Sequence, residues 1–514
     1  MVRNSWSGSF NPLAGLTGRE IVVTLTCRLL ATLLVLGAFL FVLRATTPLV
    51  ISDAWFFVYS LIRPWQDGHL TMADFFVKRG PADHMNPLYR LIMLMHTEWF
   101  HMDFTVEALI GMLFAVACVY LWHRLARGEL QKSPQTTITA ELIGLAMAAI
   151  VFSLNARGVY GWPLVTLAFM GLFAVSAFLA AVLPLLKARR FGVLALAAFL
   201  VFLVDDTYGI LAVAAALVLL TLLRYLREID QRTWWPGCVV LLIVAVAYVS
   251  AGRLFVPYAG HGNAGGVGLG ALISLLATHW RNSWEVIAIP AWSVIITPVR
   301  IAETFGSPHW IAVSTPAVVG IAVCAGHVWF WRCWRRRPFN ALSFAAAGLM
   351  LFFYFTLAAF LVARLPRFGF DYLYQPRYMQ IYDLQIVAML MMSAQAWTNT
   401  GNKRAHAALQ WLVTIVLVGL AGFYAHLAFG QIRAIHALQV RIASQIEQLA
   451  SHPASPPPDC LANYVVPCAH WNLESRIAVF KTLERGHYNV FSPVFRAWHR
   501  HQVPANWSPS KQQH

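Results

Sequence analysis

The chain has 514 residues, of which 59% are hydrophobic and only 12% charged, whereas soluble globular domains carry about 25% charged residues. With a mean hydropathy of +0.61, this excludes a soluble enzyme, a fibrous protein and a disordered chain, and leaves a polytopic membrane protein. Lys plus Arg exceed Asp plus Glu by 38 to 22, a formal charge of +16, but no basic run carries interleaved aromatics, so the excess points to cytoplasmic loops and not to nucleic acid.

Residues 1–20 are polar, with Arg3 and Arg19, and the apolar segment 22–43 follows. That segment is too long for a signal-peptide core and has no small-residue cleavage site before Pro48. It reads as a retained first transmembrane helix with a cytoplasmic N-terminus. Ten further segments fit or nearly fit a span: 104–122, 138–154, 162–186, 191–204, 208–223, 236–251, 309–331, 341–361, 381–397 and 409–428. The expected fold is therefore an all-α polytopic bundle of about eleven transmembrane helices, residues 1–428.

Every second connection is basic. The clusters are Arg124/Arg127/Lys132, Lys187/Arg189/Arg190, Arg224/Arg227/Arg232, Arg332/Arg335/Arg336/Arg337 and Lys403/Arg404. Cytoplasmic loops hold such clusters, so an odd number of spans puts the C-terminus outside. Three stretches are then exterior: the loop 44–103, the loop 252–308 and the C-terminal region 429–514. The second contains an apolar stretch, 285–299, broken by Pro290 and Pro298, which reads as a re-entrant or interfacial helix. The tail opens with a helix over 429–450 and a breaker from Pro453 to Pro458. Cys460 and Cys468 are the two exterior cysteines, eight residues apart, and are expected to pair as a disulfide.

The exterior loops carry the candidate chemistry. Asp53 stands just beyond the first helix, before the apolar run 54–62, either as the cap of a juxtamembrane helix or as a general base at the water–lipid boundary. Asp83 and His84 precede Asn86-Pro87, a helix-start signal, which would set them at the positive end of a helix suited to phosphate. Asp205 and Asp206 interrupt the apolar run 191–223. Read as one helix the run is too long for a bilayer. Read as two, its first half has 14 residues, about 21 Å, which puts both carboxylates below the outer surface. There they need a water-filled cavity, a cation or a partner, unless Asp206 merely caps the next helix. The stretch 362–380 sets Arg364, Arg367 and Arg377-Tyr378 among aromatics on the exterior side, where Arg suits bidentate phosphate contacts.

Several pieces of sequence together resemble the GT-C superfamily of membrane glycosyltransferases and a large bacterial group assigned to it by topology. They are Ser52-Asp53-Ala54-Trp55, Asp83-His84 with Pro87-Leu88-Tyr89-Arg90, Arg364 with Gly369 and Arg377-Tyr378, and the tail segment Leu483 to Phe491. The Trp-Trp-Asp-Tyr-Gly motif of oligosaccharyltransferases is absent from the sequence. The resemblance implies a bacterial inner-membrane enzyme that inverts configuration as it moves a sugar from a polyprenyl-phosphate donor to an envelope glycan or glycolipid on the outer face. Asp53 would be the base. Arg377, Tyr378, Arg364, Arg367 and His84 would hold the donor phosphate and lipid. Asp205, Asp206 and Asp83 would bind acceptor hydroxyls or a divalent cation, the one cofactor in view. Membrane lipids, the donor and the acceptor are the expected partners. A transporter, a flippase or an O-antigen polymerase-like subunit of polysaccharide assembly is the rival reading. The inverted repeat of many transporters is not visible, and the long loop after the first helix does not match a polymerase.

Overall fold

The computed structural model describes residues 17–78, 84–130, 134–255, 268–296, 309–336, 339–397, 403–461 and 465–503, and among these there is no strand element. The first helix, α1 (Gly18–Ala45), opens on a capping box between Thr17 and Glu20. In chain order follow α2 (Pro87–Phe100), α3 (Phe104–Leu130), α4 (Pro134–Val151), α5 (Val165–Lys187), α6 (Phe191–Val204), α7 (Asp206–Tyr225) and α8 (Gln231–Phe255). Then come α9 (Glu285–Trp292), α10 (His309–Arg335), α11 (Ala341–Ala363), α12 (Pro376–Trp397), α13 (Lys403–Gly430), α14 (Ile432–Ser451) and α15 (Leu473–Arg485).

Each of the eleven apolar segments coincides with a helix. Eight of these, α1, α3, α5, α7, α8, α10, α11 and α13, are long and apolar enough to cross a bilayer by length and composition alone. α4 and α6 are shorter, and α12 is less apolar because residues such as Gln380, Gln385 and Gln395 are buried inside the bundle. The outer faces suit lipid. α1 exposes Leu25, Leu29, Leu33, Leu36, Leu40 and Leu43 along one side, a stripe that water would not tolerate.

The segment around α9 does not span. Eight residues reach only about 12 Å. It is nevertheless buried at Ile289, Trp292, Ser293 and Val294, and its carbonyls find partners from the bundle. Gln385 Nε2 donates to Pro290 O at 2.7 Å, Asn155 Nδ2 to Ser293 O at 2.8 Å, and Tyr424 OH to Ile295 O at 2.7 Å. Irregular backbone survives at this depth only when so satisfied. Eight helices are thus candidate spans among the described residues, against the eleven expected, and the segment around α9 is a short buried element between them.

The loop 44–103 and the C-terminal region fold together into a second core, with Trp55, Leu61, Tyr89 and Met93 packed beside Ile446, Phe480, Leu483 and Val490. One side chain staples the two. Asn489 donates to Pro48 O (2.9 Å) and Met102 O (2.7 Å) and accepts from Val50 N (3.3 Å). Arg485 reaches Asp67 at 2.6 Å across the rim. Cys460 and Cys468 are joined by a disulfide whose loop encloses Val465. The C-terminal region is thus a cap built with the first loop, on the side of the bundle away from the basic connections.

Candidate active site

Between this cap and the bundle lies a cavity of about 730 Å³. Asp53, His84, Asp205, Asp206, Arg364, Arg377 and Tyr378, drawn from stretches as far apart as residues 53 and 378, all line it.

Asp53 is placed by the cap. Ser52, in the left-handed region at φ 54°, turns the chain, and its N–H donates to Val465 O at 3.1 Å. Trp55 Nε1 donates to the same carbonyl at 3.1 Å, so the residues flanking Asp53 are tied to one atom of the disulfide loop. The Asp53 side chain makes no capping bond to the helical turn Ala54–Phe57 that follows it. Its Oδ2 accepts from Trp162 Nε1 at 3.3 Å and lies 3.7 Å from Arg377 Nη1.

Arg377 enters from the first turn of α12. Its guanidinium carbon sits 5.4–5.7 Å from the ring centres of Trp162, Tyr372 and Tyr378, an aromatic cradle for a cation. Nη2 donates to Tyr372 OH at 2.5 Å, while Nε has no partner among the described residues. A half-buried guanidinium that lines a cavity is suited to an anionic ligand. Tyr378 stacks on Phe360 with ring centres 4.0 Å apart, which fixes the cradle wall.

The two carboxylates between α6 and α7 divide their work. Asp205 is extended (φ −160°, ψ 121°) and caps α7 by accepting from Tyr208 N at 2.9 Å. The capping role the sequence offered to Asp206 therefore belongs to its neighbour. Asp206 locks the first loop to the bundle: its N–H donates to Met85 O at 3.0 Å and its Oδ1 accepts from Met85 N at 3.0 Å. Lys78 Nζ reaches Asp206 Oδ2 at 2.5 Å, and His84 Nδ1 stands 3.3 Å from Asp205 Oδ1. Both carboxylates are 4–5% exposed, and these partners answer the depth problem raised by the sequence. His84, Asp205 and Asp206 can bring ligand atoms within 4.8 Å of one another, a donor set that suits a divalent cation. Lys78 already supplies the positive charge at Asp206, so the cluster is neutralised in part by the protein itself.

Arg367 is not brought to this cavity. Its guanidinium carbon lies 5.2 Å from the Phe368 ring centre, on the turn Leu365–Phe368, whereas Arg364, which precedes that turn, lines the cavity. Asp83 lies outside the described residues. Asn86 precedes α2 as expected but makes no side-chain capping bond.

Three contributors were missed. Lys78 stands six residues before His84, and nothing in its spacing marks it. Trp162 falls at the edge of an apparent span. Glu107, a lone acid inside the apolar segment 104–122, was legible as an intramembrane charge. It accepts from Val165 N (3.1 Å), Thr166 N (2.9 Å) and Tyr89 OH (3.0 Å), and so anchors the start of α5 three residues after Trp162. Gly111 allows this approach, since a Cβ there would stand 2.7 Å from Thr166 N. Arg90 is a support as well. Buried against Phe56 and Phe57, it donates to Asp74 O and Val77 O, both at 3.0 Å, and so holds the strand of loop that ends in Lys78.

A second, apolar groove of about 750 Å³ runs between α6 and α8, lined by residues such as Met72, Phe76, Leu196, Phe199 and Tyr248. It shares Met85 and Gly252 with the polar cavity. A Cβ on Gly252 would stand 2.6 Å from Met85 Cε, so glycine lets the Met85 side chain pack against α8 where the two spaces adjoin.

No protein-family model and no curated protein matches the chain. Among solved structures it is similar to the crystal structure of ArnT from Cupriavidus metallidurans bound to undecaprenyl phosphate, at 15% identity and a TM-score of 0.40, over 95% of this chain and 90% of that one.

Proposed function

We propose that this chain is an integral-membrane glycosyltransferase that moves a sugar from a polyprenyl-phosphate donor to an envelope glycan or glycolipid hydroxyl on the outer face of the membrane. The observation that carries the reading is the pairing of two spaces. A polar cavity lined by the Arg377 guanidinium and the Asp53 carboxylate adjoins an apolar groove, the two sharing Met85 and Gly252. A phosphate carrying a long hydrocarbon chain fits both; a water-soluble donor has no use for the groove.

In this reading Asp53 takes the proton of the acceptor hydroxyl. The acceptor oxygen attacks the anomeric carbon, the bond from that carbon to the phosphate oxygen breaks, and the electron pair leaves with the lipid phosphate. Attack opposite the leaving group inverts configuration. Arg377 neutralises the departing phosphate, assisted by Arg364 and by the Lys78–His84 side of the cavity. Asp205 and Asp206 orient His84, Met85 and Lys78. A divalent cation, if bound by His84, Asp205 and Asp206, would add a further positive charge there, and no step is routed through it. The termini follow from the basic connections: N-terminus cytoplasmic, C-terminus exterior.

The test is direct. Purified protein in detergent is incubated with a panel of polyprenyl-phosphate sugars, and donor consumption is followed with a membrane-glycan extract as acceptor. Turnover of at least one donor, lost in Asp53→Asn, is expected. Consumption of none, by protein that remains folded, refutes the reading and returns the chain to the non-catalytic transporter or assembly class.

A further inference from the structure

The helix that carries Arg377 also carries an acid that the proposed reaction does not use. Asp383 lies seven residues after Pro376 on α12, about 10 Å along the helix axis and so at membrane depth. It lines a void of about 10 Å³, room for one water-sized particle, together with Ser153, Asn155, Tyr160 and Gln380. Among the described residues no Lys, Arg or His lines this void.

The polar groups around it present acceptors. Asn155 uses its Nδ2 on Ser293 O at 2.8 Å, Gln380 uses its Nε2 on Arg377 O at 3.2 Å, and Tyr160 donates its hydroxyl to Val151 O at 3.2 Å. Each amide is oriented by a carbonyl that only its nitrogen can serve, so its oxygen is left over. Asn155 Oδ1 and Gln380 Oε1 are buried with no hydrogen-bond partner among the described residues, and their side chains are 8% and 4% exposed. A carboxylate and two orphaned amide oxygens line a space in which, among the described residues, the Ser153 hydroxyl is the one free donor and no side chain is cationic, so the pocket is rich in acceptors. Such a pocket at this depth is costly until something positive enters it.

We propose that this void is a binding site for one dehydrated sodium ion, held by the Asp383 carboxylate, Asn155 Oδ1 and Gln380 Oε1. Oxygen donors of these types suit hard cations. One carboxylate balances one monovalent charge, and a divalent ion would leave an excess. Magnesium keeps several waters, for which the void has no room. The ion would tie α12 to the segment Leu154–Val159 and, through Val294, to the re-entrant segment after α9. Because Gln380 also lines the large cavity and bonds the carbonyl of Arg377, occupancy would fix the turn that presents Arg377.

The experiment uses the full chain purified in detergent without sodium. Binding of radioactive ²²Na⁺ is measured in choline chloride, and thermal unfolding is followed as NaCl replaces choline chloride at constant ionic strength. One saturable ion per chain is expected. The unfolding midpoint should rise with sodium, as it does for any ligand that binds only the folded state. Asp383→Asn should lose at least tenfold in sodium affinity and leave the midpoint independent of sodium. If that variant does not fold, Gln380→Met, which removes one acceptor at similar volume, should weaken ²²Na⁺ binding severalfold. Absence of saturable binding to the wild-type chain, equal effects of potassium and sodium, or wild-type affinity in Asp383→Asn would each overturn the proposal. The pocket would then hold a protonated acid and a water.

Discussion

Asp53→Asn separates the two roles open to this carboxylate. The substitution keeps size, and Asn Oδ1 still accepts from Trp162 Nε1, the 3.3 Å bond of the native side chain. No helix cap is lost, because Asp53 makes none. What disappears is a negative charge 3.7 Å from Arg377 Nη1. At an effective dielectric of 20 that pair is worth about 4 kcal/mol gross. Both partners face the cavity and are desolvated in part, which leaves a net loss of stability on the order of 1 kcal/mol. Loss of a general base costs about 10²–10⁴ in rate, or about 3–5 kcal/mol of barrier. The assay is initial-rate donor consumption at saturating donor, with the thermal midpoint of each variant measured alongside. Asp67→Asn and Asp74→Asn are the controls, since those carboxylates serve Arg485 and Thr71 at the rim. The expected result is kcat down by at least a hundredfold for Asp53→Asn alone, with KM for the donor changed little. A kcat within tenfold of wild type, with only KM raised, would make Asp53 a counter-ion of Arg377 and send the search for the base to Asp205 or Asp206.

Other outcomes follow from named contacts. Gly252→Leu should close the junction between groove and cavity, and raise KM for long-chain donors at least tenfold more than for a ten-carbon analogue; equal effects on both would remove the groove from the lipid path. Asn489→Ala takes the side-chain partner from Met102 O and the Val50 N–H, while Pro48 O keeps the Phe104 N–H at 3.2 Å, and should cost about 2–4 kcal/mol, read from denaturant or thermal unfolding of the cap. Arg485 holds the Asp67 carboxyl below its ordinary range by a hydrogen bond. A lowered folded value gives stability above the unfolded value that is lost as pH falls through the folded one. The cap should therefore become more protease-sensitive below about pH 4 and in high salt, and Asp67→Asn should abolish that acid step. Reporter fusions at residues 130, 230 and 335 should read cytoplasmic and one at 440 exterior; a cytoplasmic reading at 440 contradicts the orientation.

Span positions were legible because a bilayer imposes one strong rule on length and polarity, and the eleven apolar segments each became a helix. The same rule flagged Asp205-Asp206, whose interruption of 191–223 is a local signal. Convergence was less legible. Asp53 and Arg377 are 324 positions apart in sequence, and no spacing rule relates them. Only the folding of the first loop over the start of α12 brings them to 3.7 Å. Trp162 was hidden because an indole at the end of an apolar run looks like an interfacial anchor. Arg367 and Arg364 share a turn, and sequence alone gave no reason for one to face the cavity and the other Phe368.

The cap explains why the chain keeps a long polar loop and a tail at the membrane surface. Asp53 is not supported by the helix that follows it. It is supported by Val465, whose carbonyl holds Ser52 and Trp55, and by Trp162, whose position follows from Glu107 at the start of α5. The first support belongs to the tail and the second to the bundle. In the proposed reaction this carboxylate meets a lipid-borne phosphate from one side and a water-borne hydroxyl from the other, and it sits where those two bodies join. The Cys460–Cys468 bridge, which closes the loop containing Val465, stiffens the support on the tail side, while Asp206 and Lys78 tie the remaining edge of the cavity to α7. Each wall of the site is thereby held by a contact between elements distant in sequence. The geometry at Asp53 should consequently respond to perturbation of the tail, although no described tail residue lines the cavity.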